Sequence, residues 1–408
     1  MNANLLSNFC ISCFVCIVGV TGSHAQNLRT LFAFNFFNGE GPYRSSLLPG
    51  KDGNLYGTTT LGGISDWGTV FEITPSGKLS TLYNFRDTDE VSYPVGRLVQ
   101  TTDGTLYGAA TSNGPGGAGA IYRLTLDGHL TLLHQFCGND GCLDGANPEA
   151  GLIEARDHNF YGTAEYGGAY GGGVVYGISR RGKFRVLHSF CTDGNCADGK
   201  NPTSELVQAS DGTLYGTTYY GGNGAGVIFK IGSDGTFSVV HAFGSGEGSG
   251  PSAGLVQASD GNLYGTTQAG GETSSGTIFR MTPEGVLTTL YNFDFESSGA
   301  APLGTLLQAS DSYLYGTTSY GSPRQYGTVF RLTLDGTFET LHQFELLNAT
   351  SWAQGAYPDG GLVQGTNGKL YGTTYIGGLY SDWCFIGCGT LYSVDIDLSS
   401  SSISVKPH

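Results

Sequence analysis

Charge is scarce in this sequence, and basic charge is scarcer still. Lys and Arg number 19 against 34 Asp and Glu, a formal net charge of −15. Nucleic acid binds basic surfaces, which displace counterions from its phosphates, so no nucleic-acid partner is expected. The same deficit argues against an anionic membrane surface. Catalytic signatures are missing too. There is no Gly-x-Ser-x-Gly elbow and no His-Glu-x-x-His. The stretches Gly221 to Gly226 and Gly244 to Gly250 are glycine-rich, but both neighbours of each read as strands. A phosphate loop needs a strand before it and a helix N-terminus after it. No stretch sustains a helical period.

What is present is glycine, 68 of 408 residues, together with 12% aromatics. That composition fits many short strands joined by tight turns, and it fits a disordered chain poorly. The apolar run Phe9 to Val20 is too short to span a bilayer comfortably. Ser23-His24-Ala25 follows as a small-x-small cleavage site, so residues 1–25 read as a secretory signal. The segment before the run carries no Lys or Arg, and a retained membrane anchor is the alternative. Cys10, Cys13 and Cys16 would leave with the signal. The other six cysteines form close pairs, Cys137 with Cys142, Cys191 with Cys196, and Cys384 with Cys388. Local pairs in an exported chain read as disulfides. Zinc is the rival, but no pair is followed by a second at zinc-site spacing.

An apolar-Tyr-Gly step opens seven matching segments, with glycines at 57, 108, 162, 216, 265, 316 and 372, spaced by 49 to 56 residues. One unit shows the grammar. Gly254 to Gln257, Leu263 to Thr267, Gly276 to Met281 and Leu287 to Phe293 read as four strands, joined by Asp-Gly and Pro-x-Gly turns and one longer loop. A proline enters each first strand, at 42, 94, 148, 202, 251, 302 and 358. The last unit stops after its third strand, Gly389 to Val394. Leu28 to Phe34 matches the missing fourth. The expected fold is therefore all-β: a seven-bladed β-propeller of residues 26–396, four strands per blade, closed by the N-terminal strand completing the last blade. An open solenoid would have no need of the split unit. Residues 397–408 form a polar tail.

The Leu-Tyr-Gly-Thr-Thr, Gly-Gly-x-x-x-x-Gly-Thr-Val-Phe and Leu-x-Thr-Leu-Tyr-x-Phe blocks resemble the GloVer tandem repeat of exported proteins, over about residues 28 to 396. The resemblance implies a propeller and export, and no particular activity. That family also has varied C-terminal surface anchors, whereas Asp397 to His408 carries no apolar anchor. The Asp-Gly-x-Leu-Tyr-Gly block is similar to repeats of streptogramin-lyase-like propellers.

Loops from second to third strand, and from fourth strand to the next blade, are long and variable. Both open on one face, the usual place for binding on a rigid scaffold. Trp67, Trp352 and Trp383 fall in them, two as matching Ser-Asp-Trp segments with Asp66 and Asp382. An exposed Trp can stack on a sugar or aromatic ring while the neighbouring Asp accepts hydrogen bonds. The alternative is that each Trp caps its own blade. Two inter-blade loops, Cys137 to Pro148 and Cys191 to Pro202, are near copies. Their Asp144 and Asp198, with Asn139, Asp140, Asp193 and Asn195, form a candidate calcium site, although ordinary Asx turns are the preferred reading. His134, His188, His241 and His342 share one position with Phe32, Tyr83 and Tyr291, which reads as packing. Gln100, Gln208, Gln257, Gln308 and Gln364, with Glu154 as the odd member, read as bonding to neighbouring backbone. Asn348-Ala349-Thr350 is a glycosylation sequon, relevant in a eukaryotic source.

The reading is a monomeric, secreted, extracellular module without a required cofactor, binding a carbohydrate or small molecule on its long-loop face. Alternatives are a cofactor-free lyase, hydrolase or isomerase at that face, and a structural extracellular protein.

Overall fold

The computed structural model describes residues 28–396 apart from 90, 113–116, 139–140, 322–324, 346–351 and 379–383. The signal, the tail, the candidate calcium ligands Asn139 and Asp140, the sequon at Asn348, Asp382 and Trp383 lie outside the described residues. Seven four-stranded antiparallel sheets form the blades of a propeller. In the seventh, the strand Leu28–Ala33 pairs with Thr390–Val394, with Leu28 opposite Val394 and Ala33 opposite Thr390. The split unit therefore closes the ring, leaving no open blade edge between the chain ends. No described helix is long and apolar enough to cross a membrane.

The repeated residues each have a physical reason. Gly265 lies opposite Phe279 of the neighbouring strand, and a methyl group there would strike the Phe279 ring. Every Tyr-Gly glycine is covered in this way by a Phe or Tyr of the third strand. The preceding tyrosine reaches back to the Asp of its turn: Tyr56 to Asp52 at 2.8 Å, Tyr161 to Asp157 at 2.6 Å and Tyr264 to Asp260 at 2.8 Å. The paired threonines lock second strand to third, as in Thr267 with Thr277 at 2.9 Å. The glycine that opens each third strand has a left-handed backbone, φ +100° at Gly226, and carries the ring of the next blade's proline, here Pro251. An added side chain would be strained and would push neighbouring blades apart.

The core lies between blades. Tyr264, Ile278 and Phe293 of the fifth blade pack with Leu306, Leu314 and Phe330 of the sixth, and equivalent clusters fill all seven interfaces. Each buried aromatic contributes about 2–3 kcal/mol of transfer free energy. Six blades bulge at one register between third and fourth strands, as at Ile278/Phe279, and the seventh shifts at Thr30/Phe32. A bulge there adds twist to the outer strand. Except in the second blade, where Ser92–Gln100 is one long strand, the innermost strands are shorter than their sequence suggests: Val256–Gln257 pairs, whereas the Gly254 N–H donates to Thr305 Oγ1 of the next blade at 3.0 Å.

Candidate functional site at the channel mouth

Trp67 sits between the first two blades, half-buried, its ring 5.1 Å from that of Tyr93. Asp66, with φ +60°, points back into its own loop and accepts from the Gly62 N–H at 2.9 Å. Trp352 begins a strand, Trp352–Ala356, that pairs with Ile376–Gly378 of the seventh blade. The three cysteine pairs are joined as disulfides, all on the long-loop face.

Asp144 and Asp198 are engaged by protein groups. Asp144 Oδ2 lies 3.0 Å from His134 Nε2, and its Oδ1 accepts from the Cys137 N–H at 3.0 Å. Asp198 repeats this with His188 at 3.0 Å and the Cys191 N–H at 2.9 Å. Tyr83 with Asp89, and His241 with Glu247, make the same contact at 2.9 Å each. These bonds tie each outer strand to the following loop. The imidazoles also stack on the next blade, His134 on Phe184 and His188 on Phe237, both at 3.7 Å. Burial pulls both imidazoles below their usual value, against the pull of their acids. Glu40 lies beside Cys384 and Cys388, close enough to share an ion, but the two sulfurs are bonded to each other. The glutamines also serve the scaffold: Gln257 Oε1 accepts from the Ser210 N–H at 2.8 Å in the preceding blade. Glu154 departs from that pattern and pairs with Arg180 at 2.5 Å.

The chemistry that sequence reasoning missed lies one residue past the recurring prolines, where each chain turns into the central channel. That position carries Glu149 in the third blade and Asp359 in the seventh, against Val95, Thr203, Ser252 and Leu303 elsewhere. The first blade has an extra residue here: four residues separate Pro42 from Leu47, where other blades have three. Arg44 is in this insertion, with a left-handed backbone at φ +47°. It reaches Glu149 at 2.9 Å. The Asn147 side-chain amide donates to Glu149 at 3.2 Å and to Glu165 at 2.8 Å. Burial raises the Glu165 carboxyl, and the nearby Glu149 raises it further. Asp359 is buried, which pushes its carboxyl up to about 6 against the pull of Arg44.

Tyrosines border this cluster. Tyr43 meets Tyr375 at 5.6 Å, and Tyr320 meets Tyr357 at 5.2 Å, giving a row across blades one, seven and six. Tyr166 and Tyr220 stand on blades three and four. Tyr166, Tyr220, Tyr320 and Tyr375 are 49%, 52%, 48% and 37% exposed, so their rings are available to a ligand. Arg44, Glu149 and Asp359 themselves line the neck of the channel, a space of about 30 Å³ completed by Ser46, Gly254, Thr305 and Gly361. That holds roughly one water molecule, so a larger ligand must lie across the mouth.

Three overlapping matches to the Gloeobacter/Verrucomicrobia repeat model span residues 19–222, 142–306 and 192–392. The fold and this match place the chain among repeat-built β-propellers, and it belongs to the Gloeobacter/Verrucomicrobia repeat family. No curated protein matches it. Among solved structures it is similar to the extracellular domain of a candidate one-component system from B. thetaiotaomicron, with TM-score 0.56, 11% identity, and coverage of 90% of this chain and 40% of that one. The chain thus spans less than half of that domain. A candidate 6-phosphogluconolactonase from Bacteroides uniformis matches with TM-score 0.51 and 17% identity, over 75% of this chain and 84% of that one. At these identities the likeness is one of fold.

Proposed function

We propose that the protein is a secreted binding module that takes a carbohydrate at the channel mouth of its long-loop face. The observation that carries this reading is the row of half-exposed tyrosines around fixed carboxylates. Tyrosine faces stack on the C–H faces of sugar rings, and carboxylates held by Asn147 and Arg44 can accept sugar hydroxyls without reordering. The net negative charge favours a neutral ligand over an anionic one. Export rests on the leader at residues 1–25. Trp67 would extend the same face at its rim.

A glycan array probed with wild-type protein and with Tyr375→Ala tests the reading. Selective binding that drops in the variant supports it, and an array blank for wild type overturns it. The raised Asp359 carboxyl favours a second reading, a hydrolase or lyase with Asp359 as its acid. Product release from an array-positive glycan, lost in Asp359→Asn, would establish that.

A further inference from the structure

The opposite end of the channel holds a separate cavity. Below the neck the bore widens to about 540 Å³ and opens toward the tight-turn face. This lies within the range of about 300–1,000 Å³ that small-molecule pockets occupy. Its wall is a ring of inner-strand side chains, with Ile153, Val207, Val256, Leu307 and Val363 from five blades. Its floor is the neck, where Ser46 Oγ accepts from the Gly361 N–H at 2.9 Å and Thr305 Oγ1 accepts from the Gly254 N–H at 3.0 Å. Those hydroxyls are already used by the scaffold.

Arg97 is different. It enters this bore at a position that is Ser46, Gly151, Glu205, Gly254, Thr305 or Gly361 in the other blades. Glu205 does not neutralise it through an ion pair. Its carboxylate passes over Gly151, where a side chain would block it, and accepts from the Arg97 backbone N–H at 3.2 Å. Among the described residues, no carboxylate pairs with the Arg97 guanidinium, and its Nε is buried without a hydrogen-bond partner. Glu154, the other acid of the bore, is paired with Arg180. A buried Nε–H without an acceptor is unfavourable, and a carboxylate can satisfy it together with a neighbouring guanidinium N–H through two parallel N–H···O bonds.

We propose that this bore is a second ligand site, for a small monocarboxylate with an apolar body, its carboxylate on Arg97 and its hydrocarbon against the Val/Leu/Ile ring. The dimensions suit a chain of about eight carbons or a phenyl-substituted short acid. The glycan reading of the other face is independent of it.

Octanoate and 3-phenylpropionate, each titrated calorimetrically into the mature protein alongside octanol, test the proposal. The expected result is saturable one-to-one binding of at least one acid, at least tenfold tighter than octanol. Arg97→Met keeps the aliphatic stem and should lose at least tenfold in affinity for that acid. Val256→Trp fills the bore from a wall remote from Arg97 and should also abolish binding, so the test does not rest on one variant. Circular dichroism melting confirms that each variant is folded. Absence of saturable binding by both acids, or wild-type affinity in folded Arg97→Met, would overturn the proposal.

Discussion

At the scale of single residues, the mouth is set by departures from the repeat. Asp359 stands where, apart from Glu149 in the third blade, the other blades hold uncharged residues, and burial lifts its carboxyl from the ordinary 3.8 to about 6. The folded state then binds this proton more tightly than the unfolded state. Stability from this group falls as pH rises through about 4 to 6, and the whole loss is present at pH 7. A shift of this size corresponds to about 3 kcal/mol. Asp359→Asn should therefore raise the melting temperature at pH 7 and leave it near wild type at pH 4. Equal melting at both pH values for variant and wild type would show that Asp359 carries no such penalty. The glutamine ring was legible in the sequence because it recurs at a fixed position and bonds to backbone. Arg44, Glu149 and Asp359 were not, because each breaks the repeat once and only the ring geometry brings the three blades' residues to one axis.

At the scale of strands and loops, the acid latch shows where sequence reasoning stopped short. The shared His/Tyr position was legible as packing, and the His134–Phe184 stack is packing. The acid partners were hidden because loop length varies. Tyr83 and Asp89 are six residues apart, His241 and Glu247 six, and His134 and Asp144 ten. No fixed spacing marks them, yet each acid lands on the same side chain and on a loop N–H. Removing one partner of such a part-buried bond leaves the other unsatisfied, at about 1–3 kcal/mol. Asp198→Ala should destabilise by that amount, and His188→Ala combined with it should add much less than the sum. Strict additivity in thermal melts of the four proteins would mean that the contact is not energetically coupled. The fifth blade's inner strand was read as longer than it is because Gly254 turns from its own sheet toward Thr305 to form the neck.

For the whole molecule, closure was legible because the repeat is split between the chain ends. The outcome is a pairing of Leu28–Ala33 with Thr390–Val394 and a core cluster joining Phe34 to Leu55 and Phe71. Deleting residues 28–33 should expose the edge of Thr390–Val394 and turn a monodisperse protein into one that aggregates. A peptide of residues 26–36 should restore monodispersity in size-exclusion chromatography. A deletion variant that stays monodisperse and melts like wild type would show that closure is dispensable.

The proposed glycan site at the mouth is tested most directly by calorimetric titration of the strongest array glycan into wild type and the Tyr320→Ala/Tyr375→Ala double variant. The double variant should bind at least about tenfold more weakly, the loss of two stacking rings, while melting within a few degrees of wild type. Unchanged affinity in the double variant, with the loss appearing instead in Trp67→Ala, would contradict a tyrosine-lined mouth as the binding site.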